Sequence, residues 1–210
     1  MNSDHWILLG GWLLFGLLHS LMAAIWFRDI VRPVMGRRFV YYRLIYSTVA
    51  LLSLAGVLAW QFSITSVRVV AFPVLKWVIG LPLGELGIFL MCDSIRKYFF
   101  KLSGVSVFWE KKEQPSLEVG GTHRYVRHPL YIGTLLLVWS LFLFFPWLSN
   151  LLACGMITLY TLAGIQLEER KLLRQFGQPY ADYRRKVPML IPGTKPGSGS
   201  SRRLRSGLNR

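Results

Sequence analysis

The sequence is short of acid. Its 210 residues hold 10 Asp and Glu against 25 Lys and Arg, a formal charge of +15. A balance that basic raises nucleic acid as a partner. The basic residues, however, collect between long apolar runs, where membrane topology accounts for them and no nucleic-acid partner is required. Cysteine is scarce too. Cys92 and Cys154 fall near opposite membrane faces on the topology given below, so no disulfide is expected, and no spacing of ligands suggests a metal. Internal repeats, a phosphate-binding glycine loop and a nucleophile elbow are all missing. Those absences argue against a repeat scaffold, a P-loop enzyme and a serine hydrolase.

What the chain has in quantity is apolar sequence, 53% by a broad count. It falls in runs near the 20 or so residues needed to cross hydrocarbon. Five spans are expected, at residues 6–27, 44–62, 69–91, 130–145 and 148–166. The first is too long for a signal-peptide core and no basic segment precedes it, so it reads as a retained helix. The third is interrupted by Pro73, Pro82 and two glycines, and it holds Lys76 and Glu85. The last two are joined by the turn PWLSN, short enough to demand an antiparallel helical hairpin. The fold class is therefore all-α, a polytopic bundle of about five transmembrane helices. Of the 25 basic residues, 23 fall in alternate loops, leaving Arg68 and Lys76. That asymmetry puts the N-terminus outside and the C-terminus in the cytoplasm. One membrane domain covers 1–192. The Gly/Ser/Arg-rich tail 193–210 has little to bury and is expected to be disordered, resting on lipid headgroups.

Polar residues on the expected cytoplasmic side concentrate in few places. In GGTHRYVRHPLYIG, residues 120–133, Pro129 suits the first turn of a helix and biases His128 away from helical geometry. Arg124, Arg127 and His128 then flank a helix N-terminus, an arrangement that suits a carboxylate or phosphate. The same residues, with Tyr125 and Tyr131, also fit an ordinary basic and aromatic membrane flank. Where the fifth span leaves the membrane, QLEERK continues the helix toward a stop at Gly177. Glu169 falls within the stripe formed by Leu162, Ile165, Leu172, Leu173 and Phe176, and Glu168 at its edge, which would turn Glu169 inward. Followed by Arg170 and Lys171, the same pair also fits an ordinary solvated helix face. Glu85 and Lys76 are nine residues apart, too far to pair on one helix. Each needs a partner elsewhere or a wet cavity, although Lys76 can snorkel. His19, beside Ser20 on the first span, reads foremost as a hydrogen-bonded packing residue.

RHPLYIG at 127–133, an apolar hairpin, and then EERKLLRQFGQPYADYRRKVP at 168–188 resemble the isoprenylcysteine carboxyl methyltransferase and phospholipid methyltransferase superfamily. The likeness covers about a third of the chain. HSLMAA at His19 and YYRLIY at Tyr41 are similar, more weakly, to small bacterial members that resemble thiol S-methyltransferases. The resemblance implies an integral membrane methyltransferase of a bacterial cytoplasmic membrane, using S-adenosylmethionine from the cytosol. It implies cofactor walls within about 115–188, carried onto Pro115, Ser116, Leu117, Glu118, His123, His128, Pro129, Leu130, Tyr131 and Glu168. Where the family carries Tyr, five positions before the motif histidine, this chain has His123. Arg127 and Glu169 are the candidates near the reacting centre, either of them able to help a thiol ionise. The methyl acceptor is left open among a prenylcysteine carboxylate, a thiol, a phospholipid amine and another lipophilic acid. It is expected to enter from the bilayer past the broken third span and Glu85. Two other readings stay in view: a sterol-type NADPH reductase with a similar hairpin, and a non-catalytic membrane scaffold.

Overall fold

The computed structural model of the protein describes residues 2–71, 73–103 and 117–194, without the side chains of 97–103. Seven α-helices occur among them: α1 (Ser3–Ala23), α2 (Ile25–Met35), α3 (Tyr42–Ser63), α4 (Leu81–Ser103), α5 (Pro129–Phe144), α6 (Leu148–Phe176) and α7 (Gln178–Lys186). Four stretches, 3–23, 25–63, 76–96 and 148–176, contain helix long and apolar enough to cross a membrane. α5 is apolar but has 16 residues, about 24 Å of helix at 1.5 Å per residue. It fills its place by lying against longer neighbours. The expected all-α membrane bundle is what the chain forms.

Two span boundaries differ from expectation. The first run does not continue to Phe27. Ala24 takes an extended conformation (φ −67°, ψ 139°) that ends α1 and starts the separate helix α2. No residue of α2 is buried, and Ile25, Trp26, Ile30 and Val34 are exposed on it beside Arg28 and Arg32. An apolar side and a charged side on one short helix suit the membrane interface. The third span begins later than residue 69, because residues 65–70 are extended and pinned across the bundle. Val69 N–H donates to the Pro146 carbonyl at 2.8 Å, and Leu148 N–H donates to Val67 at 2.9 Å. Helix then resumes through a π-type turn at Lys76–Gly80. Glu85 is exposed on α4, and the Lys76 ammonium lies 5.4 Å from the Trp77 ring centroid.

α1 packs on α3 and α6, and α4 packs on α5, which packs in turn on α6. The α4–α5 crossing is close because glycine meets glycine. A Cβ on Gly87 would sit 2.9 Å from the Gly133 carbonyl oxygen, and one on Gly133 would sit 2.9 Å from that of Gly87. The α5–α6 hairpin is the one the PWLSN turn demanded. Trp139 donates to Thr158 (3.1 Å) and the Cys154 thiol to the Val138 carbonyl (3.2 Å) across it. Its tip is tied down by a polar chain in which Trp12 donates to Gln61, Gln61 to Asn150 and Asn150 to the Phe145 carbonyl. Leu8, Trp12 and Ala153 form the core beside it. An apolar hollow of about 320 Å³ between α1 and α3 holds no charged side chain. Among the described residues, most charged side chains other than Asp4, Arg68, Lys76 and Glu85 gather at the other end of the bundle.

Candidate functional site

At that end the sequence lays down a sharp start and a sharp stop. His128 is non-helical (φ −127°, ψ 65°) and Pro129 opens α5. The approach is held by the strand-like segment after α7, since Arg127 N–H donates to the Pro188 carbonyl (2.9 Å) and His128 N–H to Met189 (3.3 Å). α6 runs past its apolar part to Phe176. Gly177, at φ 58° and ψ −129°, then turns the chain into α7. That conformation is one a side chain resists. Helices α6 and α7 thus fold back over the start of α5.

The centre of this end is one carboxylate. Glu169 is 3% exposed and faces three cationic or potentially cationic groups. Its Oε1 lies 3.0 Å from Arg127 Nη2 and 3.3 Å from His128 Nε2, and its Oε2 lies 3.2 Å from Arg184 Nε on α7. A charge so buried is tolerated because it is paired on every side. Arg127 is itself 8% exposed, and burial pulls its pKa down while Glu169 beside it opposes the fall. Its Nε and Nη1 are buried without a hydrogen-bond partner among the described residues, as is the hydroxyl of Tyr180, which is 1% exposed. Burial raises the Tyr180 phenol above its ordinary pKa, with Glu169 adding to the shift, so it remains an O–H donor at neutral pH. Unspent buried donors beside a paired carboxylate fit an incoming acceptor group.

Glu168 stands differently. Its side chain is 42% exposed and 4.0 Å from His128 Nδ1, while the Tyr131 hydroxyl hydrogen-bonds it. The His128 and Tyr131 rings pack at 5.6 Å. The structure therefore brings together Arg127, His128, Tyr131, Glu168 and Glu169, with Pro129 buried and Leu130 half-buried at the helix start. The helix-face argument for Glu169 as the inward carboxylate agrees with the geometry. His123 enters through its backbone, its carbonyl accepting from Tyr183 at 2.7 Å. Leu117 is half-buried, Glu118 is exposed, and neither forms an ion pair with the cluster; Pro115 and Ser116 lie outside the described residues, as does the tail from 195. Arg184 and Tyr180 are additions. Tyr180, Tyr183 and Arg184 share a helical face of QPYADYRRK, which could have flagged them.

The model of the phospholipid methyltransferase family matches residues 75–179, from the approach to α4 to the start of α7. The chain is 33% identical over 196 residues to the methanethiol S-methyltransferase of Crocosphaera subtropica, spanning 85% of this chain and 71% of that protein. It is 29% identical over 206 residues to the methanethiol S-methyltransferase of Mycobacterium tuberculosis, spanning 89% and 76% respectively. Likeness to the protein-S-isoprenylcysteine O-methyltransferase of Xenopus laevis is 29% over 157 residues, 68% of this chain and 51% of that one. No solved structure matches. The matched region contains the α5 start and the α6 exit that build the charged cluster. The chain belongs to the superfamily of phospholipid and isoprenylcysteine methyltransferases.

Proposed function

We propose that this protein is an S-adenosylmethionine-dependent membrane methyltransferase whose acceptor is a small or lipophilic thiol, with the charged end of the bundle facing the cytoplasm. The observation that carries the reading is the split between the two neighbouring glutamates. Glu169 is spent on Arg127, His128 and Arg184, whereas Glu168 is half-exposed beside His128 and Tyr131. The site thus offers both unspent buried donors, Arg127 Nε and Nη1 and the Tyr180 hydroxyl, and an available carboxylate. A zwitterionic amino-acid end fits that pair: its carboxylate at Arg127 and Tyr180, its ammonium at Glu168. Bound S-adenosylmethionine supplies a methyl group on a cationic sulfur that leaves neutral. The chain's work is then to orient the two reactants and exclude water, with little acid catalysis needed. The relatives named as methanethiol S-methyltransferases support the thiol over the other acceptors.

Calorimetric titration of the detergent-purified protein with S-adenosylhomocysteine tests the reading. Saturable binding is expected, weakened roughly 10- to 100-fold in Arg127→Leu and Glu168→Gln, as for lost hydrogen bonds to charged groups. Binding of NADPH without binding of S-adenosylhomocysteine would instead favour a reductase.

A further inference from the structure

A second polar cluster lies at the same end of the bundle, and the charged site makes no use of it. His19, near the end of α1, is held between two phenols. Its Nδ1 is 2.7 Å from the Tyr160 hydroxyl on α6, and its Nε2 is 2.6 Å from the Tyr46 hydroxyl on α3. Ser20 Oγ adds a contact of 3.1 Å to Tyr160. Gly16 makes room for this arrangement, because a Cβ there would come within 3.0 Å of the Tyr160 ring. Three apolar helices thus each contribute a polar side chain to one point, where polar groups are costly unless they serve a purpose. The cluster is also adjacent to the charged site. Tyr131, hydrogen-bonded to Glu168, is also within electrostatic reach of Tyr160 and Tyr46.

A neutral imidazole has one N–H and one bare nitrogen. One of the two phenols therefore accepts from His19 and the other donates to it. The donating phenol can take up a proton on its oxygen as it passes its own to the imidazole. Such a relay is what a thiol acceptor requires, because the thiolate is the nucleophile and an ordinary thiol is mostly protonated at neutral pH. Arg127 and Glu169, the residues that sequence suggested for this task, are paired with each other at 3.0 Å.

We propose that the His19–Tyr46–Tyr160 cluster receives the acceptor thiol and removes its proton, an inference that rests on the thiol reading above. The S–H bond breaks, its proton goes to a phenol oxygen, and the phenol's own proton moves to His19. The thiol sulfur keeps the electron pair and forms the new S–C bond. The donor's S–C bond breaks with its pair remaining on the leaving sulfur. One proton is left on His19, to be released to solvent after the products depart.

The test compares His19→Gln and Tyr160→Phe with wild type on two acceptors, an alkyl thiol and an electron-poor aryl thiol already ionised at the assay pH. Tyr160→Phe retains the ring against Gly16, so it serves where His19→Gln fails to fold. The variants are expected to keep their affinity for S-adenosylhomocysteine. They should lose roughly 10²- to 10⁴-fold in kcat with the alkyl thiol, and little with the aryl thiol. In protein without cofactor, ultraviolet difference spectra should show bound alkyl thiolate with wild type and not with His19→Gln. Equal losses on both thiols, or a thiolate band that persists in His19→Gln, would overturn the proposal. Wild-type protein that binds S-adenosylhomocysteine but methylates neither thiol would overturn the thiol reading, and this proposal with it.

Discussion

Glu169 accepts from Arg127, His128 and Arg184 together, so replacing it strands a guanidinium that is only 8% exposed. Breaking a buried pair from one side costs about 3–5 kcal/mol. Glu169→Gln is expected to lower the unfolding midpoint of the solubilised protein accordingly. Arg184→Gln, at a side chain 39% exposed, should cost under about 1 kcal/mol in the same assay. Equal losses would mean that α7, not the charge, holds the cluster. Tyr180→Phe removes a hydroxyl that has no partner among the described residues. It should leave stability nearly unchanged and weaken S-adenosylhomocysteine binding by roughly tenfold, the worth of one hydrogen bond to a charged group. At this scale the sequence was legible where helical spacing decides the matter, as with Glu169 facing in and Glu168 facing out. Arg184 was not, because its place beside Glu169 depends on how Gly177 swings α7 back, which spacing within one helix does not encode.

α4 and α5 approach through Gly87 and Gly133, and that contact sets where the Pro129 start of α5 stands relative to α6. A Cβ on Gly87 would lie 2.8 Å from the Leu137 amide nitrogen, whereas one on Gly10 would meet nothing within 4 Å. Gly87→Ala is therefore expected to destabilise by about 1–3 kcal/mol through overpacking. Gly10→Ala should be neutral or gain roughly 0.5–1 kcal/mol from helix propensity. Thermal unfolding of the pair checks both, and a Gly87→Ala protein as stable as Gly10→Ala would contradict the close crossing. The α5 start at Pro129, the PWLSN hairpin and the Gly177 stop were all readable, since proline and glycine write them locally. The break at Ala24 was not. Nothing in MAAIWF distinguishes a continuing span from one that ends and passes to an interfacial helix, and tertiary placement decides between them. The late start of the third span has a similar cause, because residues 65–70 are drawn into pairing with the α5–α6 turn.

Seen whole, the bundle has an apolar middle, one end closed by the Trp12–Gln61–Asn150 chain, and a second end where two polar clusters share Tyr131 as neighbour. The distribution of basic residues predicts that the second end faces the cytoplasm, where a water-soluble methyl donor is available. Cysteines placed at Ser3 and at Gly193, labelled in intact cells with a reagent that does not cross membranes, should react at Ser3 alone. Labelling at Gly193 alone would put the charged end on the wrong side. The central claim is methyl transfer to sulfur at that end, and one measurement addresses it directly. Purified protein is incubated with methyl-labelled S-adenosylmethionine and a small alkyl thiol together with membrane lipid, and the products are separated. Label in the thioether, much reduced in Glu168→Gln when the cofactor is below saturation, is the predicted result; label in lipid or a carboxyl ester with none in the thioether would contradict it.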